Sequence, residues 1–340
     1  MMRRLGRTCR GRLRSHHLGV LVGLWILSTC ALGAARVGNI TEFRAFGMVL
    51  ALGYLTALLW WFSREALDVS PNEVTQLLTR PHSFGSMLSA VILVVGLVVA
   101  VTSGVFQNGW YTVLVSTLPA LVVVVWFRDQ HTRRTVAVAV AVVAVLFVLG
   151  SVHRSLGWAF GSALVIGIHL IAGVALLQHT GIGGFRTISG EYAAAFRGFV
   201  QGSVLAVPPM MLNLALAERA QIIEIADPAG NWWLPILAVQ PALAEEIWAR
   251  LFLTTLFIAL LYPVSRERPR RALVAAIVLA VALHVLAHVP HTITDPVSVV
   301  FMSFFYGVPM VLLFVARDLE HAIGYHFFIV FVSFVAFPPF

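Results

Sequence analysis

Long apolar runs alternate with short polar intervals along all 340 residues. Windows of about 19 residues predict membrane-crossing helices at 18–35, 45–62, 86–106, 109–127, 135–152, 157–178, 198–216, 231–262, 272–290, 297–316 and 321–337. The expected fold is all-α, a polytopic transmembrane helix bundle of about 10–11 spans, since a crossing helix needs about 20 apolar residues. The first run follows a basic stretch and has no convincing cleavage site, so it reads as an uncleaved signal anchor. Pro208-Pro209 and Asn213 mark a broken helix within 198–216. The interval 63–85 is the longest polar one and is expected to hold an amphipathic interfacial helix.

Composition agrees with the pattern. Hydrophobic residues make up 59% of the chain and charged residues 11%. Soluble domains carry roughly 25% charged residues, so this chain has too little polar surface to cover itself in water. A soluble enzyme, a nucleic-acid-binding domain and a disordered chain are excluded. The net charge of +8 is therefore a matter of topology. Arg3, Arg4, Arg7, Arg10, Arg12 and Arg14 precede the first run, and further arginines recur in every second loop. The intervening loop 217–230 holds Glu218, Glu224 and Asp227 against one Arg219, and 291–296 holds Asp295 and no arginine. This alternation places the N-terminus in the cytoplasm. The loop with Arg36 and Arg44 weakly opposes it. The chain divides into a basic tail at 1–15, N-terminal membrane helices at 16–216 and a C-terminal membrane domain at 230–337. An Ala/Val-rich chain without lysine suggests a multi-pass protein of a bacterial plasma membrane. Its two cysteines, Cys9 and Cys30, offer no disulfide framework and no CxxC metal site.

Of 23 basic and 15 acidic side chains, just Glu245, Glu246 and Arg250 lie inside the predicted spans. A charge at mid-bilayer costs at least about 2.5–3.5 kcal/mol, and such residues usually face a wet cavity or one another. Glu246 and Arg250 are four apart on one helix face and can pair. Glu245 lies about 100° further round the helix and has no partner on its own helix. It can look into a cavity and act as a general base on water. The competing reading is a structural cluster that fixes helix packing.

Histidines form a second pattern. His284, His288 and His291 recur at spacings of four and three and share a helix face. His326 lies in the last run, and the isolated His169 reads as a hydrogen-bonded packing residue. The stripe either polarises a water or carbonyl or ligates a metal. No HExxH is present, the spans contain no Asp for an aspartyl dyad, and no rhomboid-type GxSG occurs. A proton-coupled transporter would spread its charges over several helices.

Glu245-Glu246-x-x-x-Arg250, a histidine near the end of the next helix and a histidine in a final helix together resemble the CPBP intramembrane proteases. These include the type II CAAX prenyl endopeptidases and the bacterial Abi proteins. The resemblance covers roughly residues 230–335. It implies a glutamate-dependent endopeptidase acting on a membrane-associated protein or peptide at the lipid bilayer, with no nucleic-acid partner. By position, Glu245 would activate water, His288 would match the FxxxH histidine that helps bind it, and His326 would match the HxxxN/D histidine that stabilises the oxyanion. Glu246, Arg250 and His284 would support them. No cofactor is expected, and a divalent metal such as zinc stays open, with Glu245, His288 and His326 as its ligands. Three positions depart from the pattern. His284 replaces Phe, Ala249 and Leu251 replace the residues usual on either side of the motif arginine, and Val330 replaces Asn or Asp. Valine cannot donate to an oxyanion. Either His284 or another polar group substitutes, or the chain is a non-catalytic binding, immunity or transport protein that reuses the fold. Straight helices would put Glu245 and His288 about 25 Å into their spans but His326 only about five residues into its own. Convergence therefore requires kinks at Pro241, Pro290 or Pro309, or a final helix that starts deeper.

Overall fold

The computed structural model describes residues 15–38, 41–67, 110–152, 154–180, 182–219, 234–261, 269–288 and 296–336. These residues form helices and turns and contain no strand. The helices are α1 (Ser15–Gly38), α2 (Thr41–Leu67), α3 (Trp110–Trp126), α4 (Arg133–Ser151), α5 (Leu156–Thr180), α6 (Arg186–Ser189), α7 (Tyr192–Leu205) and α8 (Val207–Arg219). They continue with α9 (Leu234–Leu237), α10 (Val239–Glu245), α11 (Thr255–Leu261), α12 (Pro269–Leu286), α13 (Pro296–Met302), α14 (Val308–Ala316) and α15 (Leu319–Ala336). Two π-helical runs, Glu246–Thr254 and Ser303–Gly307, join α10 to α11 and α13 to α14.

The chain is a multi-pass membrane bundle. Among the described residues, five helices are long and apolar enough to cross a bilayer: Arg44–Leu67, Arg133–Ser151, Leu156–Gln178, Tyr192–Leu216 and Val299–Ala316. Gly19–Ala35, Val113–Trp126 and Leu319–Val335 are shorter apolar helices. The expected span 86–106, the interfacial helix of 63–85 beyond Leu67, His291 and Pro290 lie outside the described residues.

Several predicted spans are broken helices. The run 198–216 divides at Ala206, between α7 and α8, next to Pro208-Pro209. Neither proline has an N–H to give to the helix. The run 231–262 is four pieces, broken at Ala238 and then converted to π geometry from Glu246. The run 297–316 carries the second π segment, where the Tyr306 hydroxyl accepts from Asn213 Nδ2 at 2.9 Å. Asn213 thus ties α8 to this irregular turn.

The π run Glu246–Thr254 occupies the middle of the bundle, and all nine of its residues are buried. α5, α12, α14 and α15 pack around it. Glycine sets how close two of these partners come. A Cβ on Gly173 of α5 would stand 2.7 Å from Leu251 Cγ. α7 and α15 are closer still: a Cβ on Gly202 would lie 2.0 Å from the His321 carbonyl oxygen, and one on Gly324 would lie 1.9 Å from that of Phe199. Small residues at such crossings let backbones touch, which is how helices gain packing energy where no water drives them together. Ser203 Oγ adds a bond to the Gly324 carbonyl at 2.9 Å.

Candidate active site

Glu245 is the last residue of α10 and Glu246 the first of the π run, and as neighbours on a helix they send their carboxylates in different directions. The Glu246 side chain is fully buried, whereas that of Glu245 is 28% exposed. Glu246 Oε2 lies 3.3 Å from Arg250 Nε, which confirms the expected pair. π segments recur at functional sites because they re-aim side chains without ending the helix.

Glu245 looks into a cluster of three imidazoles. Its Oε2 lies 3.1 Å from His284 Nε2, 3.5 Å from His288 Nε2 and 3.7 Å from His326 Nε2. The three histidines come from α12, the turn after it, and α15. The depth mismatch expected of straight helices does not keep them apart. α10 and the π run do not rise as one regular helix. α12 ends at Leu286, so His288 sits in a turn whose N–H bonds the Val285 carbonyl at 3.0 Å. α15 is anchored at its first residue, where Leu319 N–H donates to the Gly184 carbonyl at 2.8 Å.

Hydrogen bonds on the far side of each ring fix which nitrogen carries the proton. His288 Nδ1 is 2.8 Å from the His284 carbonyl oxygen, which can only accept, so Nδ1 is the N–H. His326 Nδ1 is 2.9 Å from Glu246 Oε1 and donates to that carboxylate. In the neutral rings both histidines therefore turn an unprotonated Nε2 towards Glu245. His284 is different. Its Nε2 donates to Glu245, and its buried Nδ1 has no hydrogen-bond partner among the described residues.

The ring of Trp248 lies 6.5 Å from that of His284, centroid to centroid. Trp248 Nε1 donates to Ser116 Oγ at 2.8 Å, and Ser116 Oγ lies 2.9 Å from His169 Nε2. His169 Nδ1 bonds the Val165 carbonyl at 2.8 Å. His169 is thus the packing residue expected, though it packs by holding Ser116 and Trp248. Nothing in the sequence marks Ser116. Trp248, inside the charged stretch, was the available signal.

Glu245, His284 and His288 can each offer a ligand atom, and these atoms lie within 4.8 Å of one another. Ligands at about 2.0–2.1 Å from a tetrahedral zinc stand roughly 3.3 Å apart, and metal-bound imidazoles commonly have the second nitrogen held by a carbonyl or carboxylate. The donor types suit a divalent cation and His288 is held on its far nitrogen as such a ligand would be, while His284 would have to move its proton from Nε2 to Nδ1 to join them. His284 enters this group, which the sequence had drawn as Glu245, His288 and His326.

An apolar bundle thus gathers two adjacent glutamates, an arginine and three converging imidazoles at one place. Residues 228–332 match the family model of the type II CAAX prenyl endopeptidases, Rce1-like. The match contains every residue of the cluster and covers most of the stretch on which the resemblance was drawn. The likeness is to a protease family, over that segment of the chain. No curated protein and no solved structure matches the chain.

Proposed function

We propose that the chain hydrolyses a peptide bond of a membrane-associated protein or peptide, with Glu245 as the general base. The observation that carries this reading is the meeting of Glu245 Oε2 with three imidazole nitrogens at 3.1–3.7 Å. A water in that cluster would donate one hydrogen to Glu245 and could give the other to the Nε2 lone pair of His288 or His326. As Glu245 takes the proton, the hydroxide oxygen bonds to the scissile carbonyl carbon and the carbonyl electrons move to oxygen. Collapse of that oxyanion breaks the C–N bond, and Glu245 returns the proton to the leaving nitrogen. The products are a carboxylate and an amine.

The oxyanion needs an N–H. Neutral His326 has given its N–H to Glu246, and Val330 has none to give. In this reading His284 supplies the donor, because its Nε2–H points at the same oxygen that binds the water. His326 then holds water, a different role from the one its position in the family motif implies. Glu246 fixes the His326 tautomer, and Arg250 balances Glu246. When a divalent cation is bound, Glu245, His284 and His288 would hold it, and it would supply Lewis-acid polarisation of water or carbonyl.

The test is Glu245→Gln in the full chain reconstituted in vesicles with a membrane-anchored peptide, products being read by mass spectrometry. Loss of product with retained folding is the expected outcome, and wild-type cleavage would overturn the mechanism. Val330 favours one second reading, a non-catalytic relative. In that case neither wild type nor variant yields product, while Glu245→Gln alters ligand binding.

A further inference from the structure

One face of α4 is an open groove of about 650 Å³, bounded by α7 and α10. Along α4 it runs from Arg133 and Arg134 through Ala137, Ala141 and Val145, a helical stripe in which alanines leave room between larger side chains. Tyr192 of α7 and Leu243 of α10 form the opposite wall, and among the described residues no carboxylate lines it.

Two observations fix the chemistry of an occupant. The body of the groove is apolar and continues the outer surface of a candidate membrane span, where Val136, Val140 and Val148 are exposed. It is therefore bathed in acyl chains. One end carries two guanidiniums, and that end is a built feature. Gly190 turns the chain after α6 with φ +80°, and a Cβ there would strike Arg134 Nη1 at 2.5 Å. The space so left lets Arg134 lie across the turn and donate to the Ser189 carbonyl at 2.9 Å. Arg133 beside it is exposed.

We propose that this groove is a binding site for an anionic phospholipid, with one acyl chain along Ala137–Val145 and the phosphate at Arg133 and Arg134. Guanidinium is the side chain best suited to a phosphate, because its fork can donate two parallel bonds. The acyl chain lies against Leu243, two residues before Glu245 on the same helix, so the lipid sits directly behind the carboxylate cluster. The site does not depend on that cluster being catalytic.

The probe is phosphatidylglycerol carrying a photoactivatable group in its acyl chain, incorporated into phosphatidylcholine vesicles with the full-length protein. Crosslinked peptides are mapped by mass spectrometry, and the same labelled chain on phosphatidylcholine serves as comparison. Labelling is expected on the Ala137–Val145 face and at Leu243 or Tyr192, stronger from phosphatidylglycerol. Arg133→Gln should reduce that preference about fivefold, the factor one surface arginine contributes towards an anionic lipid. Ala141→Phe, which fills the groove, should remove labelling from both lipids. Thermal unfolding of each variant in phosphatidylcholine separates loss of the site from loss of the fold. The proposal is overturned by equal labelling from the two lipids, by labels confined to other helices, or by labelling unchanged in folded Ala141→Phe. The last two outcomes would be those of a groove covered by a protein helix.

Discussion

An imidazole whose Nδ1–H is already given to a carbonyl or carboxylate has only a lone pair left on Nε2. His288 and His326 are both in that condition, through the His284 carbonyl and Glu246. His284 is therefore the neutral ring that still aims an N–H at Glu245. His284→Phe, the side chain usual in the family motif, should lower kcat by about 10²–10³ with little change in KM, as expected for an interaction made in the transition state. Unchanged steady-state kinetics would assign the oxyanion donor elsewhere. Glu246 raises a separate question of stability. It and Arg250 are both fully buried, and removing one partner of such a pair costs about 3–5 kcal/mol because the other charge is left in the core. Glu246→Gln should destabilise by that order, measured by unfolding in mixed micelles, whereas Glu246→Leu with Arg250→Met should recover most of the loss. Equal destabilisation in single and double variants would show that the charges do not compensate one another. The rarity of intramembrane charge made Glu245, Glu246 and Arg250 legible from sequence alone. Which histidine would touch Glu245 was not legible, because a spacing of four gives a face and says nothing about which nitrogen points where.

Between elements, the contacts that align the cluster are made by glycine. α15 brings His326 to Glu246, and α15 is held against α7 at Gly202 and Gly324. Gly202→Val should force the two helices apart, since the new Cβ would sit 2.0 Å from a backbone oxygen that cannot rotate away. Overpacking of this kind typically costs about 1–3 kcal/mol and at times more, and cleavage should fall with it. Gly161→Val on α5 is the control, because none of the described residues comes within 4 Å of a Cβ there. Similar loss in both variants would mean that helix propensity, and not the α7–α15 crossing, sets the sensitivity. At this scale the sequence was informative in part. The break near Pro208-Pro209 could be read because proline lacks a donor. The π run at Glu246–Thr254 has no such marker, and without it the 231–262 stretch reads as one straight helix with its glutamates at the wrong depth.

For the whole molecule, α6, α7 and α15 meet at a polar lock centred on Asp318, which lies between the helices Val299–Ala316 and Leu319–Val335. Asp318 accepts from Arg186 Nε and from His321 Nδ1, the latter at 2.6 Å, and His321 Nε2 bonds Gln201 of α7 at 3.0 Å. On the neighbouring helix end, Glu320 accepts from the Thr187 N–H and hydroxyl, both at 2.7 Å. Burial acts to raise the Asp318 carboxyl, but the hydrogen bonds and charges of His321 and Arg186 outweigh it and hold Asp318 below its ordinary value of 3.8. A carboxyl that is more acidic in the folded chain than in the unfolded one stabilises the fold wherever it is ionised in both states. That contribution is complete above the unfolded value and is lost as pH falls through the lower, folded one. Thermal unfolding of the wild type should therefore shift downwards as the medium is taken below about pH 4. Asp318→Asn should lower the midpoint at neutral pH and flatten this acid limb. The neutral-pH loss separates the lock from a general acid effect, since other carboxylates would still titrate in the variant. If Asp318→Asn keeps both the wild-type midpoint at neutral pH and the wild-type slope in acid, the lock does not hold α6 and α7 to α15. Their register over the carboxylate cluster would then rest on the glycine crossing alone.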